Sequence, residues 1–312
     1  MKGNNDVSVI VAAIRRCFVN FPHVESTVAA LDRLYSYECE HEEPAHLFII
    51  GESGVGKSTL LNRYEKSHPR IIHEDYTEIP ILLVRLDEAP TPKTLAGILL
   101  KAMESPFWSK GDAVERKVQL LSLLRACKVR LVIIDEANHL VDRGGEKTRH
   151  NAADWLKTVA DAAGISFVLA GIPRTIRLLE TNDQLRGRFR EVISIDRFSV
   201  ADQETEKRFR GVLKSFQRLF CNLDSIDLSS RELTRAFAFA TDGRLREIRS
   251  LLVRSVELAY ALPSPRLTMS ILSQAFRSAI YADAPPDRNP FEAAFKAVPL
   301  TIVGEPFAPV ER

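Results

Sequence analysis

The octapeptide Gly51-Glu52-Ser53-Gly54-Val55-Gly56-Lys57-Ser58 constrains this chain more than any other stretch, because G-x-x-x-x-G-K-[ST] describes a loop whose backbone N–H groups wrap phosphates. With glycine at about 7% of residues, its four fixed positions recur by chance in roughly one chain of this length in a hundred. The flanks add what the string lacks. Residues 46–50 are a short apolar run that predicts a buried strand, and residues 59–66 predict a helix. A strand, a glycine loop and a helix N-terminus together make an anion site. On this reading Glu52, Ser53, Gly54, Val55, Gly56, Lys57, Ser58 and Thr59 cradle a nucleoside triphosphate, with Lys57 reaching its β and γ phosphates.

The second half of such a site is a buried strand ending in acid, and residues 129–136, Val-Arg-Leu-Val-Ile-Ile-Asp-Glu, supply it as a Walker B strand. Asp135 at its tip is expected to hold Mg²⁺ through water beside the Ser58 hydroxyl, while Glu136 polarises the attacking water. The plainer alternative is a strand whose two acids only solvate a turn. The glycine loop upstream argues against it.

At 312 residues the chain has room for a large α/β domain and a smaller one. Its 45% apolar and 27% charged residues and net charge of +2 are ordinary, so overall charge names no partner. Residues 90–130 differ, with eight basic side chains against three acids, a local +5. The four cysteines lie far apart, without a C-x-x-C pair or histidines at ligand spacing, so neither zinc nor a disulfide framework is expected. With no signal peptide and no apolar run long enough to span a bilayer, a cytoplasmic setting without a membrane partner is expected.

Helical spacing predicts two helices within residues 6–37, broken near Phe21-Pro22. Strands are predicted at 79–86, 165–170 and 192–195 besides the two already described. Helices are predicted at 94–103, 113–126, 148–163 and 175–179. This alternation predicts a parallel five-stranded sheet flanked by helices. From residue 199 only helical stretches follow, at 202–220, 229–240, 245–261 and 269–282. The expected organisation is N-terminal helices over 1–40, a nucleotide-binding α/β domain over 41–198, a small C-terminal all-helical lid over 199–282 and a flexible tail over 283–312. The tail is proline-rich, with a short helical patch at 291–297 and two aromatic-anchored peptides, Asn289-Pro290-Phe291 and Gly304-Glu305-Pro306-Phe307, that could dock a partner.

A nucleotide-binding sheet followed by a helical lid resembles the layout of P-loop AAA+ ATPases. The resemblance implies that ATP binds at subunit interfaces, where a neighbour projects an arginine toward the γ-phosphate. In Gln184-Leu185-Arg186-Gly187-Arg188-Phe189-Arg190, Arg188 matches that finger best, with Arg186 second. A solvated basic turn is the alternative. Thr241-Asp242-Gly243-Arg244-Leu245-Arg246-Glu247-Ile248 resembles the sensor 2 region, and Arg244 and Arg246 compete for contact with the nucleotide. The sensor 1 position departs from the pattern: Gly171-Ile172-Pro173 has no polar side chain, so slow hydrolysis is expected.

Together, residues 48–58, Leu131 to Leu140 with its Asp-Glu-Ala-Asn-His-Leu ending, Val168-Leu169-Ala170-Gly171-Ile172-Pro173 and Gln184 to Phe189 resemble the TniB/TnsC ATPases of Tn7-like transposons. The resemblance implies an ATPase that oligomerises on double-stranded target DNA as a ring or helical filament, links a target-selection protein to the transposase, and is reset by hydrolysis. It also places DNA contacts between the second strand and Walker B, which here makes Lys93 and Lys110 the first candidates and Arg116 and Lys117 a weaker pair. Asp112 speaks against the second of these loops, since a carboxylate repels phosphate. Trp108, beside Phe107, is read as core, with stacking on a base as the alternative. Competing assignments are a P-loop kinase, an AAA+ protein of replication-initiator, clamp-loader or secretion type, and an ATP-gated scaffold with little hydrolysis.

Overall fold

Leu131–Asp135 and Ser166–Gly171 have every side chain buried, as strands covered on both faces must. They are the third and fourth of five strands: β1 Leu47–Ile50, β2 Ile81–Arg85, β3 Leu131–Asp135, β4 Ser166–Gly171 and β5 Glu191–Ser194. All pair in parallel in the order β2-β3-β4-β1-β5, so the expected five-stranded parallel sheet is present. The structure is a computed structural model and describes residues 2–19, 21–36, 44–142, 146–180 and 182–309. The expected border at residue 40, Cys39 and the last three residues fall outside these.

The helices are α1 Lys2–Arg16, α2 Pro22–Tyr35, α3 Lys57–Lys66, α4 Pro92–Ala102, α5 Ala113–Ala126, α6 Glu146–Ala163, α7 Asp183–Arg188, α8 Gln203–Gln217, α9 Arg231–Thr241, α10 Leu245–Tyr260 and α11 Met269–Ala279, besides shorter turns. The chain divides into two compact units, residues 22–195 and residues 1–21 with 196–312.

In the sheet unit, α4 and α5 start where the sequence supplies reciprocal caps. Thr91 accepts from the Thr94 N–H at 3.2 Å, while Thr94 Oγ1 receives the Thr91 N–H at 2.7 Å. Asp112 accepts from Val114 and Glu115 N–H at 2.8 and 2.9 Å, and Glu115 accepts from the Asp112 N–H. Their inner faces, Leu95, Leu99 and Leu100 with Leu120 and Leu124, join one core with Val132, Ile134, Phe167 and Leu169 of the sheet. Each such side chain contributes about 2 kcal/mol on burial. The arginine-bearing segment before β5, for which a solvated basic turn is the alternative, is a short helix, α7, capped by Asn182 Oδ1 on the Leu185 N–H at 2.9 Å.

In the helical unit, α1 shares a core with the C-terminal helices: Ile10 and Ile14 are buried with Phe209, Phe216, Leu252 and Phe276. Residues 1–40, read as one segment, are therefore divided between the units. Two short strands, Asp224–Ser225 and Arg266–Leu267, pair in parallel where the sequence offers no strand pattern. The tail also differs from its reading. Phe291 and Leu300 are buried in this core, and Asn289 donates to the Ser273 carbonyl at 3.2 Å. Arg288 grips Glu305 through two hydrogen bonds of 2.6 and 2.7 Å. Residues 291–297 form turns rather than a helical patch. Aperiodic sequence here means an irregular backbone held by long-range side-chain pairs, and not a loose one.

Candidate functional site

The phosphate loop begins where β1 ends. Gly51 N–H donates to the Gly171 carbonyl at 3.1 Å, which anchors the loop on the tip of β4. Gly54 and Gly56 have φ of 85° and 110°, left-handed values that strain any residue bearing a Cβ and that aim backbone N–H groups inward. Gly56 N-caps α3 with no side-chain cap, leaving the helix's positive end open toward the loop. Lys57 is only 7% exposed, and its amine donates to the carbonyls of Gly51 and Glu52 at 2.6 and 2.9 Å. Burial lowers its pKa, and the charges of Glu136, Asp135 and Glu52 oppose that shift.

Asp135, the last residue of β3, is 3% exposed, and its Oδ1 accepts the Glu136 N–H at 2.9 Å. Glu136 itself adopts φ 54°, a left-handed value that sets its side chain off from the strand. The Ala137 N–H then returns to the Ala170 carbonyl at 2.8 Å. Two groups here carry no signal in the linear sequence. Arg85, at the end of β2, places its guanidinium 3.6 Å from Glu136 Oε1. Thr175 is fully buried against Gly171, and its hydroxyl has no hydrogen-bond partner among the described residues. Register across β2-β3 brings Arg85 opposite Asp135, which only the folded sheet reveals. The donor set fits a nucleotide with its divalent cation: a buried amine, the Ser58 hydroxyl in the first turn of α3, and a buried aspartate.

Arg188, in the last turn of α7, pairs with Asp161 at 3.1 Å. Arg186 pairs with Asp183 at 2.8 Å and is well exposed. In the helical unit Arg244 is held by Asp242 at 3.0 Å and lies over the Phe307 ring, whereas exposed Arg246 pairs with its neighbour Glu247 at 2.9 Å.

The basic segment sorts differently from its sequence reading. Lys93 in the first turn of α4 and Lys110 in the α4–α5 loop are exposed, and Lys117 is half-buried. Arg116 is not a surface cation: at 8% exposure its guanidinium donates to the carbonyls of Lys110 at 3.1 Å, Lys93 at 3.2 Å and Ser109. It ties together the two backbone segments that carry the lysines. Asp112 is engaged as the cap of α5, whose N–H groups hold its carboxyl below the usual range. Trp108 is 40% exposed, so it does not lodge in the core as its sequence reading has it, and Phe107 beside it is 53% exposed.

Among the described residues no helix is long and apolar enough to cross a membrane, and no His/Cys/Asp/Glu cluster could hold a metal by itself. The family profile described as Bacterial TniB protein matches residues 11–199, more than half of the chain. A comparison with curated proteins gives no match. Among solved structures, the chain is similar to Cdc6p of Pyrobaculum aerophilum, with a TM-score of 0.61, 17% identity and coverage of 84% of this chain and 68% of that one. It is also similar to the ORC1 protein of Aeropyrum pernix, solved in complex with DNA, with a TM-score of 0.59, 16% identity and coverage of 83% and 66%. A Walker-type ATPase of Pyrococcus abyssi gives 0.55, 17%, 84% and 73%. The chain thus spans about two thirds of the length of the ORC and Cdc6 structures, and it has the AAA+ fold.

Proposed function

The chain belongs to the bacterial TniB family, and on that premise we propose that it is an ATP-dependent regulator of DNA transposition. It assembles on double-stranded target DNA as a homo-oligomer, ring or filament, connects a target-selection protein to the transposase, and is reset by hydrolysing ATP. The observation that supports this reading is the buried amine of Lys57 in a glycine loop at an open helix end, with the buried Asp135 and then Glu136 closing strand β3 of the same sheet. The likeness to ORC and Cdc6 proteins rests on fold alone at this identity and favours no rival function.

In this reading the N–H groups of residues 52–59 take the phosphates, and the Lys57 amine exchanges its two carbonyl partners for phosphate oxygens. Ser58 directly and Asp135 through water would hold Mg²⁺, which would offset charge on those oxygens. Glu136 takes the proton of the attacking water, for which its carboxylate must leave Arg85. Arg188 serves the nucleotide of a neighbouring subunit and gives up Asp161 to do so, with Arg186 second. Arg244 or Arg246 acts as sensor 2. Hydrolysis is slow because Ile172 supplies no polar group where the pattern expects one. Lys93, Lys110 and Lys117 meet DNA phosphates in the cytoplasm without reading sequence.

Negative-stain microscopy of the protein with duplex DNA, compared without nucleotide, with ADP and with a non-hydrolysable ATP analogue, tests this. Rings or filaments with DNA and the analogue alone support the regulator. Monomers under every condition overturn it.

A further inference from the structure

The α4–α5 loop ends in two exposed aromatic side chains, Phe107 and Trp108, and exposed aromatic surface of this kind marks a contact site. The loop beneath them is fixed. Ser105 N–H donates to the Leu100 carbonyl at 3.0 Å, Trp108 N–H to the Ser105 carbonyl at 3.3 Å and Lys110 N–H to the Phe107 carbonyl at 3.0 Å. Gln119 donates to the buried Ser105 hydroxyl at 2.9 Å. Arg116 clamps the loop from behind, packed close over Gly97 inside α4, where a Cβ would stand 2.9 Å from the guanidinium and 3.3 Å from the Trp108 carbonyl. A glycine within a helix is unfavourable against alanine, so the clamp is built at the helix's expense.

The surroundings are cationic. Lys101 Nζ lies 5.1 Å from the centre of the Trp108 ring and Lys110 Nζ 5.0 Å from that of Phe107. Of the nearby acids, Glu104 pairs with Arg70 at 2.7 Å and Asp112 and Glu115 cap α5, while exposed Asp87 and Glu88 line a hollow with Lys101 that takes in neither Lys93 nor Lys110. A rigid aromatic tip flanked by ammonium groups matches a polyanion that offers flat apolar faces between its charges. Duplex DNA has that chemistry.

We propose that Phe107 and Trp108 form a wedge that enters between base steps of duplex DNA while Lys93 and Lys110 hold the adjacent phosphates. The proposal rests on the DNA-binding part of the proposed function. Arg116 is the positioning residue that fixes the aromatic tip and both lysines in one arrangement.

The chain has two tryptophans, and Trp155 is buried in the sheet unit, so a change in emission on adding DNA reports Trp108. The full chain is titrated into a short labelled duplex with a non-hydrolysable ATP analogue, following label anisotropy and tryptophan emission together. Wild type should show both signals, with emission quenched as DNA binds. Trp108→Ala should weaken binding about ten-fold at every salt concentration and leave the salt slope unchanged, because an aromatic ring releases no counterions. Lys93→Ala should lower that slope by about one. Trp108→Phe keeps a ring and restores most of the affinity, which separates a wedge from a merely destabilised loop. DNA binding with unaltered emission and full affinity in Trp108→Ala overturns the wedge and leaves DNA binding standing. An emission change driven by the analogue and protein concentration without DNA makes the tip a contact between copies of the chain and also overturns it. Anisotropy that never changes overturns DNA binding itself, and the wedge with it.

Discussion

Glu136 is held on two sides, by a left-handed backbone and by the Arg85 guanidinium 3.6 Å away. An exposed pair at this distance is worth less than about 1 kcal/mol, enough to slow turnover without abolishing it. Arg85→Ala should therefore raise basal ATP turnover about threefold in a phosphate-release assay; a fall would make Arg85 an aid to Glu136 instead of a latch. His46 offers a second test at this scale. Its Nδ1 accepts the Phe167 N–H at 3.0 Å, its ring stacks on Phe189, and burial holds its pKa down to about 4. The folded chain thus keeps this histidine neutral where the unfolded chain protonates, below about 6.5. Stability from this site is fully present above 6.5 and declines as pH falls toward 4, by about 3 kcal/mol in all. His46→Asn retains an acceptor that cannot protonate, and urea melts across this range should lose that share of the pH slope relative to wild type.

At the scale of elements, what the sequence made legible was whatever repeats locally. Strands β1 to β4 were readable because each is a short apolar run and β5 from its apolar residues 192 and 193, while α5 has the bounds read for it, with Asp112 and Glu115 as the cap that fixes its start. The phosphate loop and Walker B were readable because their chemistry needs residues at fixed spacing. Arg116 was misread as a surface cation because the three carbonyls that bury it come from two segments brought together only by the packing of α4 on α5. Trp108 was misread in the opposite direction, since composition cannot tell a core tryptophan from one held out on a clamped loop. The tail was misread for the same reason: Arg288 and Glu305 are far apart in sequence, yet their side chains are only 12% and 7% exposed. Removing one member of such a charge-assisted pair costs about 2 kcal/mol. Arg288→Ala should lower the unfolding free energy of the helical unit by that amount, read from urea melts, and open residues 286–305 to limited proteolysis. Unchanged cleavage would show that Phe291 and Leu300 suffice to hold the segment.

For the whole molecule, the strand order β2-β3-β4-β1-β5 puts the tip of β4 between those of β1 and β3, so Gly171 touches the phosphate loop while its neighbour Ala170 touches the residue after Glu136. The family follows from this core and its motifs, whereas assembly lies beyond any single chain's contacts. Glu136→Gln should keep ATP and remain locked in the DNA-bound assembly, since the base is lost and the phosphate grip is intact. Arg188→Ala should lose assembly and turnover together. Sedimentation with DNA and ATP distinguishes the two, and an Arg188→Ala protein that assembles and turns over normally returns that residue to a local partner of Asp161. Glutamate is a poor occupant of φ 54°, and asparagine tolerates such an angle at about 1 kcal/mol less. Glu136→Asn should then melt about 2 °C above wild type. A heat-selected library of this chain would drift toward inert survivors, and any screen for hardier versions has to count phosphate as well as degrees.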